Sequence, residues 1–211
     1  MPAPRIRLCP GRTGGGGGTV TLPQPASAPG AASATPFIAV VGWKNSGKTT
    51  LIAKLVSELC RRGYRVATVK HAHHHFDIDH EGTDSYRHRA AGAVEVALVS
   101  RRRWAILHEL GEEGEPGLSE ILAKLAPADL VIIEGYKEEA IPKIEVRRRA
   151  AARTDPLAPG DPHIVAVAAD HVADGTGRPV FDLDAVAAIA TFIIAHLGIA
   201  ARAGAEALAG K

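Results

Sequence analysis

The most constraining feature of this 211-residue chain is an apolar run that leads directly into a glycine-rich loop. Residues 37–41, FIAVV, have the length of a buried strand, and residues 42–49 follow with the pattern Gly-x-x-x-x-Gly-Lys-Thr. From 50 to 62 the apolar residues recur at helical spacing. The order of strand, loop and helix predicts a loop that binds phosphate groups.

The residue types in this loop suit a nucleoside triphosphate. Gly42 and Gly47 let the backbone turn sharply and approach an anion, so that N–H groups and the helix N-terminus converge on the phosphates. Lys48 adds a positive charge, and the Thr49 hydroxyl can bind the Mg²⁺ ion that bridges the outer phosphates. Lys44, inside the loop, is either a second phosphate contact or a solvated side chain.

The first 36 residues differ in composition from the rest of the chain. Residues 1–36 hold seven of the 14 prolines, seven of the 22 glycines and no acidic residue. Such a segment buries too little apolar surface to offset the entropy of ordering it, so we expect a disordered tail at 1–36 and one folded domain at 37–211. Without the three arginines of the tail, 22 basic residues face 23 acidic ones, a balance that does not support binding to nucleic acid.

No segment of the sequence has the apolar length of a membrane span or the pattern of a signal peptide. Residues 185–199 come closest, but the run is short and contains His196. The two cysteines offer no disulfide framework. We therefore expect a cytoplasmic protein without a membrane partner.

Strand and helix patterns alternate along the chain. The predicted strands are 37–41, 64–70, 94–100, 103–108, 130–133, 141–149 and 163–168, and the predicted helices are 50–62, 83–91, 118–125 and 185–199. The strands at 94–100 and 103–108 are joined by arginines and should form an antiparallel hairpin, whereas the others suit a parallel sheet. The predicted fold class is α/β: a three-layer P-loop NTPase fold with a largely parallel sheet plus an antiparallel hairpin.

Residues 70–88 hold six of the ten histidines, four of them within 71–75. This segment leaves the carboxyl end of a predicted strand, where open α/β sheets bind ligands. The histidines could hold a transition metal such as Zn²⁺ or Ni²⁺, donate hydrogen bonds to a nucleotide or another anion, or remain solvated.

Two acids, Asp129 and Glu134, flank the predicted strand 130–133. Because ligands gather at the carboxyl ends of parallel strands, Glu134 is the candidate for Mg²⁺ or its water shell, and Asp129 is expected to mark the strand entry. Asp84 either caps the helix that starts beside it or faces the magnesium. Gly135 could let the backbone approach the γ-phosphate.

The chain lacks the Asn-Lys-x-Asp motif that reads guanine. Asp170, at the carboxyl end of the predicted strand 163–168, is the best carboxylate available to accept the hydrogens on N1 and N2 of guanine. The alternative is a loop acid that contacts nothing.

Taken together, these segments resemble the MobB family, the molybdopterin-guanine dinucleotide biosynthesis adaptor proteins. The resemblance rests on Gly-Trp-Lys-Asn-Ser-Gly-Lys-Thr-Thr-Leu from Gly42, Val-Lys-His-Ala-His-His from Val69, Asp-Ile-Asp from Asp77, Gly-Thr-Asp-Ser-Tyr-Arg-His-Arg-Ala-Ala-Gly-Ala from Gly82, Arg-Trp-Ala from Arg103, and Val-Ile-Ile-Glu-Gly-Tyr-Lys from Val131. The phosphate loop alone is unspecific, whereas the histidine segment joined to Thr-Asp-Ser-Tyr and Glu-Gly-Tyr-Lys is specific.

The resemblance implies a GTP-binding homodimer with weak Mg²⁺-dependent GTPase activity, acting beside the guanylyltransferase that attaches GMP to molybdopterin. No catalytic base is evident, so the chain is at most a slow GTPase. By similarity to the wider class that includes dethiobiotin synthetases, the implied Mg²⁺ ligands are Thr49, Asp84 and Glu134. The predicted nucleotide contacts are Gly42, Trp43, Lys44, Asn45, Ser46, Gly47, Lys48, Thr49, Thr50, Gly135 and Asp170.

Two other functions stay open at this point. A GTP-dependent metallochaperone would carry Zn²⁺ or Ni²⁺ on His73 to His75. A small-molecule kinase would need a base near the γ-phosphate, for which Asp77 or Asp79 could serve. Arg87 and Arg89 could assist hydrolysis in trans.

Overall fold

The computed structural model describes residues 35–72, 78–173 and 176–202. The chain divides into two units, residues 1–33 and 34–211, and the first unit lies outside the described residues. The tail predicted at 1–36 therefore falls outside them too, apart from residues 35 and 36.

Eight strands and four α-helices make up the described fold. In chain order they are β1 (Phe37–Val41), α1 (Lys48–Arg61), β2 (Val66–Lys70), α2 (Asp84–Ala90), β3 (Glu95–Val99), β4 (Trp104–His108), α3 (Leu118–Lys124), β5 (Leu130–Glu134), β6 (Lys143–Arg147), β7 (Ile164–Ala169), β8 (Val180–Asp182) and α4 (Val186–His196). A short 3₁₀ helix, Ala158–Gly160, lies between β6 and β7.

Six parallel strands form the main sheet, in the order β2-β5-β1-β6-β7-β8. Strand β5 lies between β1 and β2, and Val40 of β1 is opposite Glu134 of β5. The carboxyl ends of β1, β2 and β5 therefore meet at one edge, which brings the loop after β1 next to Glu134.

Side chains alternate between the two faces of the sheet, and each face is covered. On one face, α1 and α4 pack over buried residues that include Ile38, Ile132 and Ile144. On the other face, α3 and the residues around Ala158 cover a second cluster that includes Val41. Helices and loop segments thus enclose the sheet in three layers, which confirms the predicted fold class.

The predicted hairpin is present as a separate two-stranded sheet. Strands β3 and β4 pair antiparallel, with Glu95 opposite His108 and Val99 opposite Trp104. Helix α2 packs beside β3.

Two departures from the predicted elements have physical causes. Helix α1 begins at Lys48 rather than at residue 50, because Gly47, with a φ of 94°, occupies the cap position and starts the first turn earlier. Strand β8 was not predicted, since it is only three residues long, mostly exposed, and extended through its pairing with β7.

Within the described ranges, every helix is too short or too polar to cross a membrane.

Candidate functional site

The loop of residues 42–49 turns back sharply between β1 and α1. Gly42 has a φ of 148°, and a Cβ there would lie 2.5 Å from the Val146 carbonyl oxygen and 2.8 Å from the Ser46 hydroxyl. Any other residue would push the loop away from β6. Asn45, with a φ of 62°, and Gly47, with a φ of 94°, complete the turn into α1. The loop therefore has the tight path that aims backbone N–H groups at an anion.

Lys48 stands at the first position of α1 and folds back over the loop. Its Nζ donates to the carbonyl oxygens of Gly42 at 3.0 Å and Trp43 at 2.7 Å. Partial burial lowers the pKa of Lys48, an effect that the nearby Glu134 carboxylate opposes. The ammonium group is thus held at the mouth of the loop, where phosphate oxygens could replace the carbonyls as acceptors.

Thr49 and Glu134 lie close together because β1 and β5 are neighbours that end at the same edge of the sheet. The Thr49 hydroxyl donates to Glu134 Oε1 at 2.8 Å, and Lys70 Nζ lies 3.9 Å from the same oxygen. A hydroxyl and a carboxylate are the hard oxygen donors that Mg²⁺ prefers. The pair therefore fits a magnesium ion bound beside the outer phosphates.

Asp84, the third predicted magnesium ligand, is the exposed first residue of α2. The cap of that helix is Thr83, whose side chain accepts a hydrogen bond from the Tyr86 N–H. Across the described residues, Asp84 makes no hydrogen bond or ion pair with Thr49 or Glu134. Its role as a metal ligand stays a prediction.

Gly135 begins the left-handed turn that follows β5. Its φ is 103°, and a Cβ there would lie 3.0 Å from the Cβ of His71. The next residue, Tyr136, also has a positive φ and stacks on the His71 ring with 4.5 Å between centroids. Glycine is thus needed here for the turn and for packing on His71, whereas its approach to a phosphate stays a prediction.

Trp43 connects the phosphate loop to the segment that links β6 and β7. The guanidinium carbon of Arg153 lies 3.5 Å from the Trp43 ring centroid, and Lys137 Nζ lies 4.6 Å from it. The indole N–H donates to the Asp155 carbonyl oxygen at 2.7 Å. The contacts of Trp43 with Arg153, Asp155 and Lys137 were not predicted, since nothing in the local sequence marks a partner about a hundred residues away.

The linking segment is itself fixed by two buried charges on β6. Glu145 is 1% exposed, and its carboxylate accepts hydrogen bonds from the Leu157 and Ala158 N–H groups at 2.8 and 2.9 Å. Lys143, also 1% exposed, donates to Asp161 at 2.6 Å. These bonds hold residues 157–161 against the sheet face that carries the second buried cluster.

The other predicted contacts in and after the phosphate loop differ in their burial and in their surroundings. Ser46 is buried, and its hydroxyl has no hydrogen-bond partner among the described residues. Lys44 and Asn45 are exposed, and Thr50 lines a cavity beyond the first turn of α1.

That cavity, of about 110 Å³, extends from the phosphate loop toward Asp170. Its lining residues are Gly47, Thr50, Leu51, Lys54, Arg148, Asp170, Leu183 and Asp184. Asp170 Oδ1 accepts hydrogen bonds from His171 Nδ1 and the Arg149 N–H, both at 2.8 Å. These contacts lower the pKa of Asp170, so its carboxylate is ionised and accepts hydrogen bonds near neutral pH. Asp170 is thus not an acid without contacts.

The histidine segment is described only at its ends. His73, His74, His75 and Asp77 lie outside the described residues. In the part of the chain that the structure describes, no group of three or more His, Cys, Asp or Glu side chains is arranged to hold a metal ion.

Two further acids named from the sequence, Asp79 and Asp129, have structural partners, and so does Arg89. Asp79 is 5% exposed and accepts a hydrogen bond from Arg89 at 2.7 Å. Asp129 accepts from the Arg65 N–H and from Arg202, at the end of β5 opposite Glu134.

Comparison with known proteins relates this arrangement to one family. The family model described as molybdopterin guanine dinucleotide synthesis protein B matches residues 37–170. The molybdopterin-guanine dinucleotide biosynthesis adapter protein of Escherichia coli (strain K12) is 37% identical over 161 residues, which cover 75% of this chain and 91% of that protein. The protein of the same name from Haemophilus influenzae is 38% identical over 161 residues, covering 75% and 87% of the two chains.

Solved structures agree with the sequence comparison. A crystal structure of molybdopterin-guanine biosynthesis protein B superimposes with a TM-score of 0.60 at 30% identity, covering 76% of this chain and 99% of the other. The MobB protein homologue from Bacillus stearothermophilus gives a TM-score of 0.57 at 30% identity, covering 77% and 97%. The phosphate loop, the Glu-Gly-Tyr turn after β5 and Asp170 all lie within the matched residues, and the chain belongs to the MobB family.

Proposed function

We propose that this protein binds Mg²⁺·GTP and acts as an adapter in molybdopterin guanine dinucleotide biosynthesis, beside the guanylyltransferase that joins GMP to molybdopterin. The observation that carries the proposal is the phosphate loop, with Lys48 at its mouth and Thr49 joined to Glu134 at 2.8 Å. The adapter role is taken from the named function of the E. coli and H. influenzae relatives.

Magnesium belongs to this proposal through Thr49 and Glu134. When bound, the ion would offset the charge on the outer phosphates. The residues themselves supply the rest: the loop backbone and Lys48 hold the phosphates, and the glycines keep side chains out of their way. Asp84 is retained as a further candidate ligand.

We propose that Asp170 recognises the guanine base. An ionised carboxylate accepts the N1 and N2 hydrogens of guanine, whereas adenine presents an acceptor at N1 that a carboxylate repels. Asp170 lines the cavity that continues from Thr50 beyond the phosphate loop, where a base attached to bound phosphates would lie.

Hydrolysis of the bound GTP is expected to be slow. Arg89, one of the arginines considered for hydrolysis, pairs with Asp79 and lies 3.5 Å from Glu109. With its guanidinium engaged by two carboxylates, Arg89 is poorly placed to stabilise a transferring phosphoryl group.

We also propose that the protein is a homodimer that pairs through the β3–β4 hairpin. One face of this hairpin exposes Val99 at 80%, Trp104 at 69% and Ile106 at 52%. A two-stranded sheet of this size is marginal in water by itself, and an exposed patch of large apolar residues favours protein contact. A second copy of the same hairpin would cover this face and its open edges.

Nucleotide titration tests the central proposal. We expect GTP in Mg²⁺ to bind the purified full-length protein more tightly than ATP, because Asp170 discriminates against the adenine edge. Replacing Lys48 with alanine should weaken GTP binding by about 100-fold, as expected for the loss of a charge-assisted contact to phosphate. Isothermal titration calorimetry measures both effects.

Two results would overturn the proposal. Equal affinity for GTP and ATP, or a preference for ATP, removes the guanine part. Unchanged GTP binding by a folded Lys48→Ala variant removes the phosphate site. Arg65→Ala is the charge-matched control, since Arg65 is exposed at the opposite edge of the sheet.

A further inference from the structure

The cavity beside the phosphate loop has one cationic wall that sequence analysis did not single out. Arg148 directly follows β6, and Asp170 directly follows β7. Arg147 pairs with Ala169 in the sheet, so the next residue on each strand emerges at the same edge. Arg148 Nε lies 3.9 Å from Asp170 Oδ2.

Arg148 also reaches the start of α1. A Cβ placed on Gly47 would lie 4.0 Å from Arg148 Cδ and 3.8 Å from Leu183 Cδ2. Two side chains from distant parts of the chain therefore approach the same point above the phosphate loop. Arg148 and Leu183 thus lie within van der Waals reach of the start of α1.

The charges around the cavity leave Arg148 without a strong partner. Lys54 and Asp184 form an ion pair at 2.7 Å, and Asp170 Oδ1 is engaged by His171 and the Arg149 N–H. Among the described residues, the nearest carboxylate oxygen to Arg148 is the one 3.9 Å away, beyond hydrogen-bond distance. Its side chain is half exposed and lines the cavity, so the guanidinium is accessible to a ligand bound there.

We propose that Arg148 is a base-positioning residue, whose guanidinium packs against the face of the guanine ring while Asp170 binds the edge of the ring. This inference rests on the proposed GTP site and adds a second determinant to it. A planar, delocalised cation stacks well on an aromatic ring, and Leu183 supplies apolar contact to the same base.

Binding measurements with three ligands separate this role from others. In full-length protein, Arg148→Ala should weaken Mg²⁺·GTP binding by about tenfold, the usual range for a partly desolvated cation–aromatic contact. Binding of inorganic triphosphate, which has no base, should not change. Inosine triphosphate lacks the N2 amine but keeps the ring face, so its affinity should fall by the same factor as that of GTP.

Each alternative gives a different result and would overturn the proposal. An equal loss for GTP and inorganic triphosphate would make Arg148 a phosphate contact. A clearly larger loss for GTP than for inosine triphosphate, which offers Asp170 only its N1 hydrogen, would mean that Arg148 acts by orienting Asp170. No loss for any ligand would mean that Arg148 is a solvated side chain.

Three controls keep the outcome unambiguous. Arg65→Ala removes the same charge from the far edge of the sheet and should bind all ligands as the wild type does. Arg148→Gln, which keeps the stem but not the cation, should repeat the alanine result if Arg148→Ala does not fold. If the wild type binds GTP and ATP equally, guanine reading by Asp170 fails, yet Arg148→Ala should still weaken both nucleotides and spare inorganic triphosphate.

Discussion

At the scale of single residues, the position of a carboxylate on its strand decides what it can do. Glu134 and Asp170 both stand at carboxyl ends, one beside Thr49 and the other in the cavity next to Thr50. Asp129 stands at the opposite end of β5 and holds the Arg65 N–H and Arg202. The strand end at which a carboxylate stands, rather than its residue type, therefore separates the proposed ligand-binding acids from the structural one.

Glu58 provides a residue-scale prediction about stability. Its carboxylate is 15% exposed and accepts hydrogen bonds from Arg61 and Arg62, while Arg62 also donates to Thr191 and Ala187 of α4. The bond from Arg61, together with that from Arg62, lowers the pKa of Glu58 from 4.5 to about 2 in the folded protein. Glu58→Gln should therefore lower the free energy of unfolding near neutral pH by about 1 kcal/mol.

The pH dependence of this effect has a definite sign. Because the folded pKa lies below the unfolded one, the carboxylate contributes its full stability above about pH 4.5 and loses it as the pH falls toward about 2. Urea unfolding of the wild type and Glu58→Gln should show a gap that closes over this interval. Glu120→Gln, in an exposed pair with Lys124, is the control with little expected effect. A gap that is constant with pH would refute the assignment.

How well the contacts of a site residue could be predicted depended on how far apart in the sequence the contacting residues lie. The sequence alone identified Gly42, Lys48 and Thr49, because the phosphate-loop motif is local. The contact between Thr49 and Glu134 follows from two strands that end at the same edge of the sheet. The partners of Trp43 could not be predicted from the sequence. Arg153 and Asp155 reach it through a long connection whose path depends on tertiary packing.

At the scale of elements, the sequence predicted seven of the eight described strands and missed the shortest, β8. Strands β1, β5 and β7 are almost wholly buried and read as apolar runs. Strand β8, with exposed residues at both ends, carries no such signal. Strand β6 is buried too, but its Lys143 and Glu145 gave no indication of their function in the sequence, because their partners lie on the following loop.

The Glu145 contacts lead to a prediction at this scale. Glu145→Gln replaces one carboxylate oxygen by an NH2 group, which cannot accept a hydrogen bond. It also leaves the Arg147 cation, 2.8 Å away, without its charged partner. We expect the free energy of unfolding to fall by about 3 kcal/mol, the usual cost of breaking a buried pair. Hydrogen exchange of the Leu157 and Ala158 amides should accelerate more than that of the β1 amides. Glu112→Gln, an exposed change on another loop, is the control.

Unchanged protection at Leu157 and Ala158 would contradict this assignment. It would mean that apolar packing of Ala158 and Leu157 against the sheet, rather than Glu145, holds the segment in place.

At the scale of the whole molecule, the proposed nucleotide site and the proposed pairing surface belong to separate parts of the fold. The phosphate loop, Glu134 and Asp170 belong to the loops at the carboxyl edge of the six-stranded sheet, whereas Val99, Trp104 and Ile106 belong to the two-stranded sheet. A change that removes pairing should therefore leave GTP binding intact.

The proposed homodimer is tested by placing a charge on the exposed hairpin face. Ile106 and Trp104 point to the same face, since they pair with Ala97 and Val99 on β3. Burying a glutamate at such a contact without a partner is costly, so Trp104→Glu should convert a dimer of the full-length protein into a monomer in sedimentation equilibrium. Val180→Glu, at an exposed apolar residue of β8, is the matched control and should stay dimeric.

A wild-type protein that sediments as a monomer, or a Trp104→Glu variant that remains a dimer, would refute pairing through the hairpin. GTP titration of the same variant should give the wild-type affinity, because the substituted side chain contacts neither the phosphate loop nor the cavity lined by Asp170.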